Sequence, residues 1–282
     1  MTLQNPSAEI FIPDGAPLEA ALNRTTHLGI SAHQDDLEIM AYDGILKCFG
    51  QTDAWFMGVV VTNGSGSPRN GLYAAYTDEA MQQVRKMEQK KAAYAGEYGA
   101  AVLLDYPSAA VKTPGAPAVK EDLKTLIAAA QPQFIYTHNL ADKHDTHVGV
   151  AIHTLQALRE LPAELRPDKL YGCEVWRNLD WMCDEDKVQF DVAAHPNLAA
   201  SLLGVFDSQI CGGKRYDLAT IGRRTANATY AATHGTDETS ALIFAMDLTP
   251  LITDTNQSIT NYVQAYLDRF KWDVADRIEK FL

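Results

Sequence analysis

Residues 27–36, HLGISAHQDD, read as a short apolar strand, His27–Ala32, that runs directly into a polar turn. From Leu37 to Phe49 the apolar residues then recur at helical spacing. The same alternation continues along the first half of the chain. Ala54–Thr62 (AWFMGVVVT) is β-branched and nearly continuous, as a buried strand would be, and the turn-rich loop Asn63–Asn70 (NGSGSPRN) follows it. Thr77, Asp78 and Glu79 supply capping chemistry for a helix running to Tyr98 and closing at Gly99. Ala101–Tyr106 is a third strand, Val119–Ala130 a helix, and Phe134–Thr137 (FIYT) a fourth strand. Strands separated by helices predict an α/β fold: a mostly parallel sheet with helices on both faces, whose ligands gather at the carboxyl ends of the strands.

Beyond about Arg159 the pattern loosens. Leu170–Trp176 and Ala241–Asp247 read as strands, and Ala193–Phe206, Tyr216–Ala232 and Ser258–Phe281 as helices. Nothing between the halves has the composition of a hinge. The expectation is one domain over residues 1–282, with a core at about 25–160 and a continuation or cap over 161–282.

With 46% hydrophobic and 21% charged residues, the 282-residue chain has the balance of a globular protein. Its formal charge of −12 disfavours partners bound through many phosphates, so nucleic acid and anionic membrane surfaces are poor first expectations. No stretch approaches the roughly 20 apolar residues of a membrane helix. Met1–Gly15 lacks the basic and apolar regions of a signal peptide, which makes a cytoplasmic location the default expectation. The cysteines, Cys48, Cys173, Cys183 and Cys211, form no C-x-x-C pair and are expected to be reduced and mostly buried.

Two polar clusters stand at predicted strand ends. In His33-Gln34-Asp35-Asp36, imidazole and carboxylate are ligands suited to zinc, and two adjacent carboxylates call for a neutralising cation. The simpler alternative is a helix N-cap by Asp35 or Asp36 beside a partly buried His33. The second cluster runs from His138 through Asp142, His144 and Asp145 to His147, ahead of the apolar helical segment Val148–Leu158. A helix starting near Asp145 would put His144 and His147 on neighbouring positions of its first turn, although H-x-x-H alone is equally a surface pair. Taken together, His33, Asp36 and His147 would make a His₂-carboxylate set with a fourth position open. Such openness belongs to catalytic rather than structural zinc, and Asp35 is then the spare carboxylate for a general base.

These motifs resemble the PIG-L/LmbE-like superfamily of zinc-dependent N-deacetylases. Its A-H-P-D-D-x-E pattern appears as Ala32-His33-Gln34-Asp35-Asp36-Leu37-Glu38, and its D-x-H-P-D-H pattern as Asp142-Lys143-His144-Asp145-Thr146-His147. Thr62-Asn63-Gly64, Arg85 with Glu88 and Ala92, and Asp207-Ser208-Gln209 are similar to further family stretches. The resemblance implies a Rossmann-like fold and one Zn²⁺ per chain, with Fe²⁺ as an alternative. It assigns His33, Asp36 and His147 as ligands, Asp35 as the base acting on the hydrolytic water, and His144 as oxyanion stabiliser or proton donor to the amine. Arg85 and Asp105 would contact substrate. Gln34 replaces the family proline, and Thr146 stands where an Asp is usual, so either Asp142 or Asp145 would orient a ligand histidine.

The implied activity is removal of an N-acetyl group from a small amino-sugar conjugate, in a monomer or a homo-oligomer. Trp176, Trp181, Tyr73 and Tyr76 would offer stacking faces for a sugar, or simply pack. The alternatives are a zinc amidase for another amide, such as a thiol conjugate, and a non-catalytic sugar- or nucleotide-binding module. The last would require a G-x-G-x-x-G loop where HQDD stands.

Overall fold

The computed structural model describes residues 1–115 and 117–282. Its sheet has eight strands: β1 (Glu9–Phe11), β2 (His27–Ser31), β3 (Phe56–Thr62), β4 (Ala100–Tyr106), β5 (Phe134–His138), β6 (Lys169–Cys173), β7 (Val188–Asp191) and β8 (Leu242–Asp247). Their spatial order is β1-β4-β3-β2-β5-β6-β8-β7. The central strands β4, β3, β2, β5 and β6 are parallel, while β1, β8 and β7 join antiparallel at the two sides.

Apolar strands run unbroken here because both faces are covered. Met57, Val59 and Val61 of β3 and Val102 and Leu104 of β4 pack into one layer with Leu123, Leu126 and Leu155. Phe56 and Val60 of β3 and Leu103 of β4 face the opposite layer with Leu37, Ile45 and Leu202. Gly29 of β2 lets this second layer close in, since a Cβ there would stand 2.7 Å from both Leu37 and Phe56 side-chain carbons.

After β2 the chain builds β3 and β4 on one side and then crosses to place β5 on the other. The carboxyl ends of β2 and β5 are therefore neighbours at the reversal of strand order, where a crevice opens. Both polar clusters are at those two ends.

Several elements differ from expectation. The segment read as one helix from Leu37 to Phe49 is two, Asp36–Met40 and Tyr42–Cys48, broken at Ala41. Arg224 accounts for the break by donating to the carbonyls of Glu38 (2.7 Å) and Ile39 (3.2 Å), which a continuous helix would have used itself. The long helix ends at Ala95, capped at its start by Thr77 accepting from the Ala80 amide. The helix read over Ala193–Phe206 is confined to Pro196–Gly204. Edge strands β1 and β7 were not legible as strands, being only three and four residues long and incompletely buried.

Candidate functional site

The turn after β2 holds its residues in one arrangement. His33 donates its amide to Asp36 Oδ2 (2.7 Å), folding that carboxylate back over the turn instead of capping the helix. Asp35 occupies the N-cap position with a left-handed backbone (φ 95°), but its side chain makes no capping hydrogen bond. Gln34 fastens the turn by donating to Thr62 O at the end of β3 (2.9 Å). Gly64 (φ +74°) leaves room for this, since a Cβ would meet Gln34 Oε1 at 2.7 Å.

The second segment arrives from β5. The helix Asp145–Glu160 turns His147 inward, and Asp142 Oδ2 lies 3.2 Å from His147 Nδ1. Both are buried. An Nδ1 proton shared with Asp142 leaves the Nε2 lone pair of His147 facing the first segment. There His33 Nδ1 lies 3.1 Å from His147 Nε2 and 3.2 Å from Asp36 Oδ2, and His147 Nε2 lies 3.4 Å from Asp36 Oδ2.

These separations test whether a metal fits. Zinc bonds of about 2.0–2.1 Å in tetrahedral geometry set ligand atoms about 3.3 Å apart. The three atoms thus describe one face of such a tetrahedron. Two imidazole nitrogens and a carboxylate oxygen directed at one point also suit a divalent cation chemically.

Around the triad the electrostatics divide the carboxylates. Burial works against ionising Asp36, yet the adjacent His147 and His138 outweigh it and hold the carboxyl well below its usual range. For Asp35, burial wins: it pushes the carboxyl up to about 7, with Arg85 pulling down and the Asp36 charge pushing up. Asp142 is held down at about 2 despite its burial, chiefly by the His147 hydrogen bond. Burial, with His147 and His33 nearby, lowers His144, whose Nδ1 has no partner among the described residues.

Arg85 is fully buried instead of lying on a helix surface. Its guanidinium lies 3.3 Å from Asp35 and 3.3 Å from Glu88, and it donates to the Gln34 carbonyl. Glu88 in turn accepts from the Ser208 amide and hydroxyl, both at 2.7 Å. The three stretches similar to family motifs thus meet in one buried network.

A cleft of about 410 Å³ opens onto these groups, its lining including His33, Asp35, Asp36, Arg85, His144 and His147. Asp105 is not among the lining residues and pairs with Lys86 at 2.9 Å. Asp145 is exposed at the head of its helix, so of the two acids only Asp142 meets His147. Trp176 lines the cleft, whereas Trp181 donates to Glu174 and packs against the core. Tyr73 and Tyr76 meet edge to face outside the lining, with an interplanar angle of 66°. All four cysteines are free, but only Cys48 and Cys173 are buried. Cys183 is half-buried and Cys211 exposed.

Sequence reasoning gave His138 no role. At the end of β5 it stacks on His147 with ring centroids 3.9 Å apart, and its Nε2 accepts from the Ala32 amide at 2.8 Å. The available signal was position: the last residue of an apolar strand, opening the polar cluster. The same Nε2 lies 3.3 Å from Asp36 Oδ2, and Asp36, His138 and His147 form a second group whose donor atoms are close enough to share a cation. Tyr216 and Lys214, also in the lining, come from a region without recognisable motif spacing.

No helix among the described residues is long and apolar enough to cross a membrane. No curated protein sequence matches the chain. Solved structures do. The N,N'-diacetylchitobiose deacetylase from Pyrococcus horikoshii aligns with a TM-score of 0.61 at 15% identity, covering 93% of this chain and 92% of that one. A triple mutant of a deacetylase of the teicoplanin biosynthetic pathway aligns at 0.58 and 16%, covering 79% and 97%. The 4-carboxy-2-hydroxymuconate hydratase GalB from Pseudomonas putida aligns at 0.57 and 14%, covering 79% and 95%. At such identities these likenesses establish the fold, which evidently carries more than one chemistry. The family whose description is GlcNAc-PI de-N-acetylase, PIG-L, matches residues 28–158. That segment contains both polar clusters and nearly all of strands β2 to β5, and over it the chain is similar to the PIG-L (LmbE-like) family.

Proposed function

We propose that this protein is a metal-dependent amide hydrolase that removes the N-acetyl group from a small amino-sugar conjugate. The observation that carries the reading is the triangle of His33 Nδ1, Asp36 Oδ2 and His147 Nε2, with edges of 3.1, 3.2 and 3.4 Å, beside a fourth group, Asp35, left outside it. The family description, a de-N-acetylase of a GlcNAc conjugate, supports the substrate class.

His33, Asp36 and His147 would hold one divalent cation per chain, Zn²⁺ or alternatively Fe²⁺. Such an ion supplies Lewis acidity, lowering the pKa of a water toward about 7 and polarising an acyl carbonyl. Asp35, raised by burial and lining the same cleft, accepts a proton from the attacking water. His144, in the same lining with its ring centroid 4.6 Å from that of His147, offers an N–H where oxyanion charge develops and a route for a proton to the departing amine. Asp142 keeps His147 in the tautomer whose Nε2 faces the triad. The balance is amide plus water giving free amine and acetate.

Metal analysis and acetate release test this reading. The purified chain is expected to carry about one divalent metal, and chelation to abolish acetate release from an N-acetylglucosamine panel. Asp35→Asn should keep the metal and lose at least 100-fold in kcat, whereas His33→Ala and His147→Ala should lose both. A metal-free wild type that still releases acetate would end the proposal.

A further inference from the structure

On a chain of net charge −12, most cationic side chains find an acid, and seven lysines lie within 4.0 Å of a carboxylate. Among the described residues six lysines do not, and three of these belong to the cleft or its rim: Lys112 and Lys214 in the lining, and Lys143 over the lining residue Trp176. Lys143 and Lys214 lie over the Trp176 ring, 5.9 and 5.1 Å from its centroid. An aromatic face orders an ammonium group without cancelling its charge, as a carboxylate would. Among the described residues the only acids in the lining are Asp35 and Asp36, both occupied at the floor. Ser67 and Ser108 line the cleft as well, their hydroxyls making no hydrogen bond among the described residues, and Ser108 lies one turn before Lys112. The mouth therefore concentrates uncompensated positive charge and unspent donors on an otherwise acidic molecule.

We propose that this mouth is an anion-recognition subsite, and that the substrate carries a phosphate or carboxylate group received by Lys112 and Lys214 while its N-acyl group reaches the floor. The inference deepens the deacetylase reading and rests on it for the substrate's other end. The shared chemistry is a localised anionic group, and the ligands below separate its two sources.

The test compares N-acetylglucosamine, N-acetylglucosamine 6-phosphate and N-acetylmuramic acid as substrates of the metal-loaded protein. Calorimetric binding of the same three to the Asp35→Asn variant reads the subsite without turnover. At least one anionic ligand is expected to bind tenfold or more tightly than the neutral sugar at low ionic strength, with the margin shrinking as salt rises. Whichever anion gains identifies phosphate or carboxylate as the recognised group. The double variant Lys112→Ala, Lys214→Ala should cut the preference to threefold or less. Lys271→Ala, removing an unpaired lysine on the C-terminal helix Ile259–Glu279 outside the cleft, should leave it intact. Equal binding of all three ligands, or a preference that survives the double variant, overturns the subsite. Lysine-dependent binding with no acetate released from any ligand would support the subsite and sink the deacetylase reading. Acetate release without anion preference would do the reverse.

Discussion

Arg85 and Asp35 face each other at 3.3 Å in the cleft, the guanidinium fully buried and the carboxylate nearly so. Their pairing joins the long helix Asp78–Ala95 to the turn after β2 and sets how readily the proposed base ionises. Burial raises Asp35 to about 7 against the downward pull of Arg85. Removing the guanidinium leaves burial less opposed, so the base would deprotonate only at higher pH. Arg85→Met is accordingly expected to move the acid limb of kcat/KM upward by about one pH unit, and Arg85→Lys by less. Full pH–rate profiles check this, and a limb that stays in place removes Asp35 from the role of base.

Two acids were equal candidates for orienting a ligand histidine, and only one reaches it. Asp142→Asn should weaken metal affinity about 10- to 100-fold, because the His147 tautomer loses its anionic partner. Asp145→Asn, at an exposed helix start, should leave affinity unchanged. Competition with a chromophoric chelator measures both. Equal losses from the two variants would contradict the geometry.

His138 is expected to be structural. In His138→Leu the buried Ala32 amide loses its acceptor, which costs about 2 kcal/mol of stability. The His33, Asp36 and His147 atoms remain, so metal content should stay near one per chain. Denaturant unfolding of the metal-free protein and metal analysis give the two readouts.

Glu174 links pH to stability. Burial raises its carboxyl from 4.5 to about 7, against hydrogen bonds from Leu179 and Trp181. Between those values the folded chain keeps a proton that the unfolded chain has released, so this contribution is complete below about pH 4.5 and is lost as pH rises to about 7. Its size is on the order of 3 kcal/mol at most. Glu174→Gln should flatten the decline of Tm over that window relative to wild type. Parallel curves for the two proteins would show that Glu174 ionises normally.

The unpaired electrostatics of the cleft floor carry one more consequence. If His33, Asp36 and His147 share a cation as proposed, its binding to the folded state alone stabilises the protein by mass action. Tm is therefore expected to rise with Zn²⁺ concentration in wild type and Asp35→Asn alike, and to be insensitive to it in His147→Ala. A thermal shift series provides the comparison.

The amino-acid sequence by itself determined the alternation of strand and helix, because a strand covered on both faces must be apolar throughout and its turns must carry polar or glycine residues. It also exposed the two polar segments that line the cleft, since their residues are local: His33 and Asp36 share one turn, and His144 and His147 one helix start. Tertiary structure alone decided the remainder. That β2 lies beside β5 depends on which way the chain crosses over the sheet, which no local pattern records. The choice of Asp142 over Asp145, the pairing of Asp105 with Lys86, the helix break answered by Arg224 and the burial of Arg85 against Glu88 each join residues remote in sequence or select among near neighbours by direction. Side-chain direction and the supply of partners in a closed interior are properties of the packed chain, and so they become readable only when it is folded.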